Sequence, residues 1–153
     1  METKTDLRDE TVEKLQNLIQ LNIDSKEGFT AASEKVNDDT ISSVFRRLAS
    51  ERDDNIRTLK NYVSLNNEQP KKSGTIKGSA HRMWMGARAA INKGDPHVIL
   101  VEAEKGEDEI KHAYEDVLRD IPGSALNDVL LGQFRKVKVG HDHVRALRDN
   151  RAH

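Results

Sequence analysis

The chain has 153 residues, enough for one domain with a real core and too few for two. Apolar residues make up 35% and charged ones 33%, with three Phe, two Tyr and one Trp, a supply too lean for the strands of a sandwich or barrel and suited to long helices with one apolar stripe each. The 25 basic and 26 acidic residues nearly cancel and are interspersed, which excludes the electrostatic footprint of a nucleic-acid or anionic-membrane binder, and the lack of cysteine excludes disulfides, thiolate metal sites and cysteine nucleophiles. No apolar run approaches the roughly 20 residues of a membrane span. Met1 to Glu10 is polar, without an apolar signal region, so a cytoplasmic setting is expected.

The first helix is predicted over 10–36, where Val12, Leu15, Leu18, Ile19, Ile23 and Phe29 recur at three- and four-residue spacing. Asn37-Asp38-Asp39 stops it and offers a cap for a second helix over 38–66, carrying Ile41, Val44, Phe45, Leu48, Ile56, Leu59 and Val63. So short a break makes an antiparallel hairpin. A long polar connection follows, containing Pro70 and Gly74. A shorter helix is then predicted over 74–93, through Ile76, Met83, Trp84 and Ile91, closed by Gly94. Asp95-Pro96 reads as cap plus first-turn proline of a helix over 95–120, with Ile99, Leu100, Ala103, Ile110, Tyr114 and Val117. After the turn Ile121-Pro122-Gly123-Ser124, a last helix over 123–149 carries Leu126, Leu130, Phe134, Val137, Val144 and Leu147. The expected fold is all-α, an antiparallel four-helix bundle with an extra short helix in the middle.

The apolar stripes fail at informative places. The core series of the second helix meets Glu51, with Asp54 one turn on. The third-helix series meets Glu107 between Ala103 and Ile110, and the fourth meets His141 between Val137 and Val144. In the first helix the series meets Asn22, Lys26 and Ser33, with Glu27 on the flank. These interruptions fall near the helix middles, so they are expected to converge on one buried polar layer. A buried carboxylate is costly unless paired or bound to a cation. Two causes fit. One is a divalent-metal site with Glu27, Glu51, Glu107 and His141 as ligands and Asp54 and Glu104 as additions, iron or manganese being the metals. The other is an ion-paired layer in which Lys26, with Arg52 as a further cation, neutralises Glu51 and Glu107. The second makes the chain a metal-free bundle acting by protein–protein association.

Other features carry less. Glu109-Ile-Lys-His112 spells a ligand spacing, but its positions face away from the stripe. His81 is expected to pack against the bundle end. His143 cannot share a side with His141, because residues two apart diverge on a helix. Met83-Trp84-Met85 reads as core, or as a face toward a second copy in a homodimer.

The stretches Asp24-Ser-Lys-Glu-Gly-Phe29, Leu48-Ala-Ser-Glu-Arg52, Ser79-Ala-His-Arg-Met-Trp-Met85, Glu104-Lys-Gly-Glu-Asp108 and Val137-Lys-Val-Gly-His-Asp142, together with their order, resemble a bacterial family of uncharacterised ferritin-like four-helix-bundle proteins, a domain of unknown function. The resemblance covers nearly the whole chain. It implies a ferritin-like bundle in a cytoplasmic setting, and the wider ferritin-like superfamily implies a di-metal carboxylate site with Glu-x-x-His on two helices. This chain departs from that pattern. It has Glu51-x-x-Asp54 on the second helix and Lys138-x-x-His141 on the fourth, a cation where a ligand would stand.

Overall fold

The computed structural model describes residues 2–66, 68 and 95–150. Four helices account for most of them: α1 (Asp9–Lys35), α2 (Asp39–Leu65), α3 (Pro96–Asp120) and α4 (Asn127–Asn150). Among the described residues there is no strand, only an isolated bridge between Thr3 and Asp6. No described helix is long and apolar enough to cross a membrane. The helix expected over 74–93, with His81, Met83, Trp84 and Met85, lies outside the described residues.

The joints follow side-chain chemistry. Asp38 caps α2, its carboxylate accepting from the Ile41 N–H at 3.0 Å. Asp95 caps α3 by accepting from the His97 and Val98 N–H groups, with Pro96 in the first turn. Helix α4 begins at Asn127 rather than near 123, because residues 121–126 are used up in turns closed by the Ser124 N–H to Ile121 and the Asn127 N–H to Ser124. At α1 the residue before the helix, Arg8, makes no side-chain cap.

Two apolar clusters, one toward each end, reveal the directions of the helices. One gathers Phe29, Ala32 and Val36 of α1's end, Ile41 to Ala49 of α2's start, Ile99 to Ala103 of α3's start, and Val144 and Leu147 of α4's end. The other gathers Leu15 to Ile23, Ile56 to Val63, Ile110 to Val117, and Leu130 with Val137. Hence α1 and α4 run one way, α2 and α3 the other. Neighbours are the antiparallel pairs α1/α2, α3/α4, α1/α3 and α2/α4, with the parallel pairs on the diagonals. The end of α2 and the start of α3 lie at opposite ends of the bundle.

Between the clusters the interior turns polar, in two adjacent layers. In the first, every helix contributes one side chain. Asn55 (α2) donates to the Asn22 (α1) carbonyl oxygen at 3.2 Å, Asn22 donates to the Tyr114 (α3) hydroxyl at 3.0 Å, and Tyr114 donates to Gln133 (α4) at 2.8 Å. All four are buried. Such a chain fixes the axial register of the four helices, because sliding any one helix by a residue breaks a bond no water can replace.

Burial pushes the Tyr114 hydroxyl up to about 12, against the hydrogen bond from Asn22 and the field of Arg52, which favour its ionised form. The folded value lies above the ordinary 10.0, so the phenol's contribution to stability is fully present below pH 10 and lost as pH rises to about 12. We predict that Tyr114→Phe lowers unfolding stability by about 1–3 kcal/mol at neutral pH, by stranding Asn22 and Gln133. It should also flatten the alkaline fall in stability. Denaturant unfolding from pH 8 to 12 checks both, and a variant with the parent's stability and the parent's alkaline slope would show that Tyr114 is not the buried link.

Candidate functional site

The second polar layer lies one turn from the first, toward α2's start. Its centre is Arg52, the largest fully buried side chain among the described residues. Arg52 and Glu107 are both 0% exposed. The Arg52 Nη2 donates to both Glu107 oxygens, at 2.7 and 2.6 Å, and its Nε donates to the Ser25 hydroxyl at 3.2 Å. The guanidinium carbon lies 5.9 Å from the centre of the Phe29 ring, a cation–π contact. Since α2 and α3 are diagonal partners, this ion pair crosses the middle of the bundle.

Complete burial pushes the Glu107 carboxyl up from its ordinary value, while Arg52, and beyond it His141, pull it back down. An arginine stays charged at any accessible pH. With both carboxylate oxygens within hydrogen-bond reach of one guanidinium nitrogen, the pair is held as ions. Helix α4 closes over it through Gly140. A Cβ there would stand 2.8 Å from Leu48 Cδ2, 3.2 Å from Glu107 Oε2 and 3.6 Å from Arg52 Nη2. The absence of a side chain there lets α4 lie directly on the pair, since a Cβ would make the Leu48 methyl and the Glu107 carboxylate give way.

The expected ligand set is therefore rearranged. Glu107 and His141 are in the interior as expected, but Glu107 is saturated by Arg52. Glu51 is half-buried, while Glu27 and Asp54 are exposed on the outside, Asp54 pairing with Arg57. Lys26 does not enter the layer. Its ammonium reaches outward to Asp53 at 2.8 Å, and both groups remain well exposed. The physical reason is the choice of step along α1. Asn22 is followed on the core line by Ser25 and Phe29, so Lys26 falls on the flank. The cation that closes the layer is Arg52. Glu109 and His112 lie off the core line, with His112 paired to Glu115 at the surface. Lys138 is exposed, and half-buried His143 meets Arg47 at 2.8 Å.

Beside the central pair, on the α3/α4 seam, the structure brings together a set only partly expected: Glu104, Asp108 and His141. One ligand atom from each lies within 4.8 Å of the others. Glu104 and Asp108 are one turn apart on α3, hence on one face, and His141 meets them from α4. His141 is 1% exposed and Glu104 is 7% exposed. The His141 Nδ1 lies 3.2 Å from the Asp142 carboxylate, within hydrogen-bond reach, which turns Nε2 toward the seam. There Nε2 is 2.5 Å from Asp108 Oδ1, yet it makes no hydrogen bond among the described residues. Glu104 is also held from the outside, by Arg145 at 3.3 Å and by Arg148. Asp108 was missed in the sequence because it sits one residue past the core position Glu107. The signal was present in the i, i+4 spacing of Glu104 and Asp108.

We predict that Arg52→Met, which leaves Glu107 buried and unpaired, destabilises the fold by about 3–5 kcal/mol, whereas Lys26→Met, at the surface, changes stability by about 0–1 kcal/mol. Gly140→Ala should cost about 1–3 kcal/mol through overpacking. Chemical denaturation of the three variants checks this. A Lys26→Met loss exceeding that of Arg52→Met would mean that the layer is closed from α1.

A protein-family model matches residues 10–120, the stretch holding α1, α2 and α3 with Arg52, Glu104, Glu107 and Asp108. No curated protein matches the chain.

Proposed function

The chain belongs to the matched family, described as Domain of unknown function (DUF2383), and we propose that it is a ferritin-like bundle binding one divalent cation on the α3/α4 seam rather than two at its centre. The ferritin-like part of the reading is supported by the directions of the helices, two antiparallel hairpins in which α2 and α3 run parallel on a diagonal. The displacement of the site is supported by Arg52, whose charge repels a metal from the position a di-metal centre would take and whose hydrogen bonds occupy Glu107. The observation that carries the cation is the convergence of one ligand atom each from Glu104, Asp108 and His141, all within 4.8 Å of one another.

Glu104, Asp108 and His141 would hold the ion, one imidazole and two carboxylates being a donor set that suits iron, manganese or zinc. Bound there, a divalent metal supplies Lewis acidity. Asp142 orients the imidazole, and Arg145 and Arg148 lower the site's affinity by competing for Glu104.

A second reading has its own observation. Glu104 is paired with two arginines, Glu107 with Arg52, and Asp108 with His141 if the ring is protonated. On this reading the layer is complete without metal, and the chain is a metal-free bundle that works by association with other proteins.

Titrating chelator-stripped protein with Mn²⁺, Fe²⁺ or Zn²⁺ separates the two. We predict a rise in melting temperature of roughly 5–10 °C at a hundredfold excess over Kd, from about 2.7 kcal/mol of mass-action stabilisation. His141→Ala and Asp108→Ala should each abolish the rise, and Glu51→Ala should leave it intact. A flat titration with all three metals would transfer the conclusion to the metal-free reading.

A further inference from the structure

One carboxylate outside both polar layers has a different kind of surrounding. Glu2, just before α1, has a side chain only 4% exposed, although it belongs to a segment on the outside of the bundle. Its two oxygens serve two separate places. Oε2 accepts from the Arg8 N–H at 3.0 Å and from the Thr11 hydroxyl at 2.7 Å, and lies 3.5 Å from the Arg8 Nε, all at the start of α1. Oε1 accepts from the Ser124 hydroxyl at 2.9 Å and from the Ala125 N–H at 2.9 Å, in the turn that leads into α4. Arg8 offers α1 no side-chain cap of its own, and Glu2 accepts the Arg8 N–H at that helix start.

The rest of the segment is fastened at a third point. The Leu7 N–H donates to Asn66 at 2.8 Å, and Asn66 donates back to the Lys4 carbonyl at 3.0 Å. Asn66 caps the end of α2. Leu7 is buried in the same apolar cluster as Val63, Ile121 and Leu126. Lys4 pairs with Asp128 at 3.1 Å, but both are exposed, so this contact adds little. Residues 2–8 thus lie across one end of the bundle, touching α1, the end of α2 and the α3–α4 turn.

We infer that residues 2–8 form a releasable strap over this end of the bundle, and that the Glu2 carboxylate is the latch that holds it closed. The latch binds one carboxylate between two helix starts, where backbone N–H groups favour an anion. The core between α1 and α3 does not depend on it, because both polar layers and the opposite apolar cluster are built from other residues. Removing the carboxylate frees Leu7 and Asn66 together and opens the end where α2 departs, while the rest of the bundle stays folded.

The test compares the parent with Glu2→Ala and Glu2→Gln in the full chain, by hydrogen exchange and by melting with and without added acetate. In Glu2→Ala, exchange should rise at least tenfold at the amides of Leu7, Arg8 and Ala125 and stay unchanged at mid-helix amides such as Ile19 and Ile110. The melting temperature should fall by roughly 3–6 °C. Acetate at about 0.1 M should restore part of that fall in Glu2→Ala and do nothing for the parent, since a small carboxylate can reoccupy the vacated donors. Glu2→Gln, which keeps the shape and loses the charge, should lie between. Unchanged exchange at Leu7 and Ala125 would overturn the latch. A rise spread over mid-helix amides would overturn the strap as a separable element, and acetate acting equally on parent and variant would overturn carboxylate recognition.

Discussion

The buried ion pair between Arg52 and Glu107 is the constraint around which the rest is arranged. Two full charges at zero exposure cost several kcal/mol each to desolvate, and only tight geometry returns that cost. The structure meets most of the requirement by surrounding the pair, although the buried Nη1 of Arg52 makes no hydrogen bond among the described residues. Ser25 takes the guanidinium Nε, the Phe29 ring faces its carbon, and Gly140 lets α4 lie against both partners. Each neighbour comes from a helix other than those carrying the charges, so the pair specifies how all four helices meet. The neutral chain Asn55–Asn22–Tyr114–Gln133 repeats the device one turn away with hydrogen bonds alone. Together the two layers separate the apolar clusters and lock the register between two hairpins that pack more closely within themselves than against each other.

The same pair bears on the proposed cation site. A four-helix bundle ordinarily offers its middle as a metal cage, with carboxylates from several helices facing inward. Here a fixed guanidinium occupies that middle. The cluster proposed to bind a cation lies instead on the α3/α4 seam, where Asp108 is half-exposed and Glu104 and His141 are buried behind it. A seam site of this kind is open to solvent on one side, and it has only three protein donors. These properties suit reversible binding of a single ion better than a closed two-metal centre.

Much of the architecture was legible in the chain, because it rests on local rules. The three/four spacing located all four described helices, Asp38 and Asp95-Pro96 marked two starts, and the polar breaks at Asn22, Glu107 and His141 marked a buried layer. What local rules do not supply is the choice between adjacent positions. On α1 the core line passes through Ser25 and not Lys26, and on α2 through Arg52 and not Glu51, each a shift of one residue and about 100° around the helix. That shift puts Arg52 rather than Lys26 against Glu107, so the middle holds the ion pair that was one of the two expected causes. Asp108 was hidden for the same reason, since a residue beside the core line reads as surface until a partner from another helix arrives. Glu2 was illegible in principle, because its donors at Ser124 and Ala125 lie more than 120 residues away in sequence.

The central claim, that an ion pair fills the middle and displaces cation binding to the seam, is tested most directly by diffraction from crystals soaked in Mn²⁺, with an anomalous difference map. The account predicts a single peak within coordination distance of the His141 Nε2 and the Asp108 carboxylate, with Arg52 still bonded to Glu107. Peaks between Glu107 and Glu51, with the Arg52 guanidinium swung away, would contradict it.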